Sequence, residues 1–189
     1  MGKASVARIL SSAFCILVVA GCGPGGPPVQ PPPAWTAKQT TTGVVRIVHA
    51  RGSNLAGLAT QRRDQLAAAD IAEAIARAVA SGMQAKRADF VGLPDDEFAN
   101  LVKTVSEAAG AASASMSVLK QECVLVKRGD KPEAPGNETH AAFQLAEIPR
   151  GTIKQFVQNL LTPAQIPVVN GVIDAIAFLR AGEVQWFEP

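Results

Sequence analysis

Two histidines, a cysteine late in the chain and a few acids are the side chains whose types could do chemistry. His49 and His140 lie far apart, with no metal-ligand spacing around either and no cysteine nearby. They meet only if their strands pair, and two imidazoles alone make a weak site. Asp95-Asp96-Glu97 resembles an ion-binding run, but three consecutive acids point in different directions on a helix. The positive end of a helix dipole accounts for them more simply. Asp174 sits in an apolar run where it could serve as a proton donor, yet no base or nucleophile is placed beside it. No G-x-S-x-G, H-E-x-x-H, P-loop or EF-hand pattern occurs. Gly21-Cys22-Gly23-Pro24-Gly25-Gly26 spells a dinucleotide loop but follows no strand and opens no helix. The expectation is a chain with no metal, no cofactor and no catalytic centre, although a triad built from distant residues would escape such a reading.

The elements that would carry these residues are mostly helical. Residues 41–49 have clear β chemistry, with Val45, Ile47 and His49 alternating with Arg46 and Val48. Residues 54–83 then read as helix, with Ser53 or Asn54 as N-cap and Gly82 as stop. Leu55, Leu58 and Leu66 face one side of it, and Ile71, Ile75 and Val79 nearly the opposite side. One helix with two contacts is favoured over a break near Asp70, where Asp70 and Glu73 spell a capping box. Arg62-Arg63 reads as a solvated face.

A second long helix is expected over 94–128, opened by Pro94 and three acids and closed before Gly129. Its seam runs through Phe98, Leu101, Val105, Ala108, Ala112, Met116, Leu119, Cys123 and Val126 at spacings of three and four. Nothing from Ala108 to Ser115 is larger than serine, so another helix could approach closely, within the chain or from a second copy. The alternative ends this helix near Ser117 and makes 122–128 a strand. Residues 140–148 could pair with 41–49 or with 122–128. A short amphipathic helix over 152–161 buries Ile153, Phe156, Val157 and Leu160, and a very apolar helix over 168–180 ends at Gly182. Pro163, Pro167, Asn170 and Asp174 make that last segment costly to insert in a bilayer, so it is expected in the core, with shallow insertion the alternative.

Near the N-terminus, Lys3 and Arg8 precede an apolar run over 9–20, too short for a permanent membrane helix and of secretory length. It ends Leu17-Val18-Val19-Ala20-Gly21-Cys22, which resembles the lipobox of bacterial lipoproteins. The resemblance implies cleavage before Cys22 and acyl chains on it. At about 0.8 kcal/mol per buried methylene, two or three chains anchor a protein stably. It also implies a location outside the cytoplasm. Gly23, where lipoproteins retained at the inner membrane carry Asp, points to the outer membrane facing the periplasm in a host with two membranes. Residues 1–21 are then the signal peptide, 22–38 the lipidated cysteine and a Pro/Gly-rich linker, and 39–189 the folded domain. Cys15 leaves with the signal, so Cys123 would be the sole unmodified cysteine, expected as a small buried hydrophobe.

Without residues 1–21, 168 residues remain, with sixteen basic and sixteen acidic side chains. A neutral chain lacks the footprint of a nucleic-acid binder, and the absence of Tyr argues against a stacking platform. The fold class expected is mainly α, a long helical hairpin or small bundle with one to three short strands; the alternative is α+β with a small antiparallel sheet. The function expected is a non-catalytic interaction or structural role in the envelope. The membrane is reached through acylated Cys22, and a protein partner or self-association involves Ala108, Ala112, Met116, Val172, Ile176, Trp186 and Phe187. Alternatives are a carrier of an apolar ligand or lipid, and a phage-encoded lipoprotein acting in lysis or superinfection exclusion.

Overall fold

The computed structural model describes residues 29–38, 42–53, 56–128 and 138–182. The lipobox-like stretch, Asn54, Leu55, the loop after Arg128, Trp186 and Phe187 lie outside them, as do the side chains of Leu58, Arg62, Arg63 and Leu66. The element order is β1 (Val44–Ser53), α1 (Ala56–Ala85), α2 (Asp95–Ala111), β2 (Ser117–Arg128), β3 (Glu138–Pro149), α3 (Arg150–Gln158), α4 (Ile166–Ala175) and β4 (Phe178–Ala181). The strands form a sheet in the order β2-β3-β1-β4. β3 runs antiparallel to both β1 and β2, and β4 runs parallel to β1.

The chain is therefore α+β, which corrects the mainly helical expectation. The α+β alternative comes nearer, but its small antiparallel sheet is in fact a four-stranded mixed one. The second helix stops at Ala111, a short 3₁₀ turn covers Ala112–Ser115, and the rest of the expected helix is β2. Met116, Leu119, Cys123 and Val126 fit a helical seam, but the run Cys123-Val124-Leu125-Val126 fits a strand equally well. Pairing with β3 along its whole length decides between them. The last apolar segment splits in the same way. α4 ends at Ala175, and Phe178–Ala181 joins the sheet beside Arg46–His49. Residues 138–149 pair on both sides, with β1 and with β2.

α1 is one continuous helix of 30 residues, about 45 Å long. Ala67, Ile71, Ala74, Ile75, Val79 and Met83 bury one stripe of it against Val45, Ile47, Ala146 and Ile148 of the sheet. Gly82 does not stop this helix. A Cβ there would stand 2.4 Å from Val172 Cγ1, so the glycine admits α4 at close range. Gly110 does the same for α2, where a Cβ would lie 2.8 Å from the Ala72 carbonyl oxygen. Phe156 and Leu160, expected inside, are exposed, while Ile153 and Val157 are fully buried. The buried Arg150 guanidinium donates to the Ile176 carbonyl at 2.6 and 3.0 Å and to the Thr42 carbonyl. It thereby ties the end of α4 to the approach of β1.

The helices lie on one face of the sheet. The other face carries a smaller cluster of Val48, Ala50, Val124, Ala141, Phe143 and Leu145, against which Trp35 packs. Trp35 belongs to a 3₁₀ turn over Ala34–Ala37, and its Nε1 donates to Glu122 Oε2 at 3.0 Å. The Gln30 amide donates to the Leu125 carbonyl at 2.8 Å, so the chain before the turn runs beside β2. No helix among the described residues is long and apolar enough to cross a membrane.

Candidate functional site

The helix-facing side of the sheet is apolar at one end and polar at the other. Side chains alternate along a strand, so Val45, Ile47, His49, Arg51 and Ser53 of β1 share this face. The β1–β3 register sets Ile148 opposite Val45, Ala146 opposite Ile47, Gln144 opposite His49 and His140 opposite Ser53. The first two pairs belong to the main core, and the last two are polar. β2 extends the polar row, with Gln121 beside Gln144 and Cys123 beside Ala142.

His49 is the centre of this end, with 0 % exposure. Its Nε2 lies 3.1 Å from Asp70 Oδ2 of α1, and the Arg51 guanidinium donates to the same carboxylate oxygen. Asp70 and Arg51 keep about a fifth and a quarter of their side chains accessible, so the ion pair reaches the surface while the imidazole does not. Gly182 closes the ring from β4. It adopts φ +76°, and a Cβ on it would meet the Ala50 carbonyl oxygen at 2.9 Å and the imidazole at 3.0 Å. His140 Nδ1 and Gln144 Oε1 are buried and find no hydrogen-bond partner among the described residues.

A carboxylate beside an imidazole is half of a general-base arrangement, but His49 Nε2 has no hydrogen bond to Asp70. Here the ring is shut between α1 and the Gly182 backbone, and the arrangement works as an electrostatic clamp of α1 on β1. The two histidines do share one face, but they sit in rows four residues apart, roughly 13 Å along the strands. Among the described residues no three His, Cys, Asp or Glu side chains converge as metal ligands.

The partner-contact residues read from the sequence fall mostly inside. Ala112, Val172 and Ile176 are buried in the main core, and Ala108 and Met116 pack against it. The small-residue stretch is thus occupied by α1 of the same chain. Asp174 is exposed and forms an ion pair with Lys154 at 2.7 Å. Cys123 is half-buried on β2. The sequence reading missed Asp70 as the partner of His49. The signal was present, because Asp70 lies on the stripe of Ala67 and Ala74 and is a lone acid on a buried face.

A shallow cleft of about 380 Å³ is lined by Leu93, Glu97, Asn100, Leu101, Thr104, Leu160 and Gln165. β2 is an edge strand, and its Val118 and Leu119 are each 44 % exposed. Compared with family models, with curated proteins and with solved structures, the chain matches none.

Proposed function

We propose that the chain is a lipid-anchored envelope protein whose α+β domain has a non-catalytic binding role. The anchor rests on the lipobox-like stretch ending at Cys22. One observation supports the binding role: a twelve-residue edge strand, β2, exposes Val118 and Leu119 beside Lys120, Gln121 and Glu122. Metabolic labelling with a fatty acid tests the anchor. Wild type takes the label and fractionates with membranes, and Cys22→Ser does neither. A full-length, unlabelled chain in the cytoplasm would remove both the anchor and the envelope location.

The cleft between α2 and the Leu160 turn favours a second reading, a carrier of an apolar ligand. Its volume lies within the roughly 300–1,000 Å³ of small-molecule sites, and Leu93, Leu101 and Leu160 supply apolar walls. On this reading native mass spectrometry of the detergent-extracted chain shows a bound small molecule that Leu101→Trp displaces. A bare mass in both forms discards it.

A further inference from the structure

We infer that the cleft between α2 and the Leu160 turn takes an organic cation, an ammonium group carried on an apolar body. This rests on the second reading above, that the cleft holds a small molecule, and adds the charge of that molecule.

The lining sorts into apolar walls and hydrogen-bonding groups. Leu93 and Leu101 come from α2 and the residues just before it, and Leu160 from the connection between α3 and α4. Leu101 follows Glu97 by one turn of α2, so a carboxylate and an apolar wall share one helix face. Glu97 is the only charged residue of the described lining. Two of its polar neighbours have spent part of their capacity. The Thr104 hydroxyl donates to the Asn100 carbonyl at 2.9 Å, and Gln165 Oε1 accepts from the Thr162 amide at 3.0 Å. The strongest group left unspent is a full negative charge that can only accept hydrogen bonds.

No cation among the described residues is placed to neutralise Glu97. Three and four residues before it stand Pro94 and Leu93, and after it Asn100 and Leu101. The helix thus gives it no partner of the kind that Arg77 gives Glu73 on α1. Arg87 is held by Asp95 and by the Phe90 and Leu93 carbonyls, and Lys154 by Asp174. The dipole of α2 favours acids in its first turn, but Asp95 and Asp96 meet that preference outside the cleft.

Three classes of ligand then separate. A neutral apolar molecule would cover the leucines while stripping water from the carboxylate, which costs binding. An anion adds repulsion to that cost. An ammonium group replaces the water with charge-assisted hydrogen bonds and lays its apolar body along Leu101 and Leu160.

The test is leucine-methyl NMR of the full chain in a non-ionic detergent at neutral pH. The chain is titrated with hexylamine, hexanol and hexanoate, ligands of one length and three charges. Wild type binds hexylamine about fivefold more tightly than hexanol, and hexanoate most weakly, with shifts at Leu101 and Leu160. Salt at about 1 M, which shortens the screening length to about 3 Å, removes the preference and spares hexanol. Glu97→Gln, at an exposed position, makes hexylamine and hexanol equal, and Asp96→Asn leaves the preference in place. Ratios compared between variants in the same micelles cancel the share of each ligand that the detergent takes up. Hexanol bound as tightly as hexylamine by wild type overturns the inference and leaves the apolar carrier standing. A preference that survives Glu97→Gln does the same. No shift at Leu101 or Leu160 with any of the three removes both readings.

Discussion

An acid on the buried stripe of a helix must find a positive group or lose its charge. Asp70 finds Arg51 of β1, whose guanidinium donates to it, and has the His49 imidazole 3.1 Å away on the same face. Removing the carboxylate takes its acceptor from the Arg51 guanidinium, which is three-quarters buried beside the sheet. Asp70→Ala is therefore expected to destabilise the domain by about 2–4 kcal/mol. Asp70→Asn keeps an acceptor oxygen and loses less. Urea denaturation of the three forms measures this, and identical midpoints would show that the clamp contributes nothing. His49 was legible on its strand from alternation alone. Its partner was not, because Asp70 followed by Glu73 also spells a helix start. Only a helix unbroken through that point turns the acid toward the sheet.

At the scale of elements, close approach decides more than propensity does. Glycine inside a helix costs about 1 kcal/mol relative to alanine, so Gly110→Ala should stabilise α2 taken alone. In the fold the new methyl would meet the Ala72 backbone at 2.8 Å, and neither helix can yield without shifting the other. A net loss of about 1–2 kcal/mol is expected in thermal or urea unfolding, and a gain would mean that the two helices separate at little cost. The same elements show where sequence ran out. The start of α2 was readable from Pro94 and the acids after it, and α1 from its length and apolar spacing. The end of α2 was not, since residues 116–126 satisfy both the helical and the strand period. β3 settles that ambiguity, and it is more than ten residues away in the chain. The split between α4 and β4 was hidden likewise. Nothing local marks Ile176 as a break, and it becomes one because Arg150 takes its carbonyl while β1 pairs with the residues beyond it.

At the scale of the whole molecule, the described residues are arranged lopsidedly about the sheet. One face of the sheet lies under four helices, and the other carries a turn of chain with a tryptophan. Gln30, bonded at β2, belongs to that covering. With Cys22 acylated as proposed, only residues 23–29 lie between the lipid and this mooring, a leash of less than about 30 Å even at full stretch. The rim of the sheet would then patrol a thin shell of solvent just above the bilayer. Any partner held at the same leaflet would be met in two dimensions instead of three, so the tether itself raises the concentration at which the rim meets it.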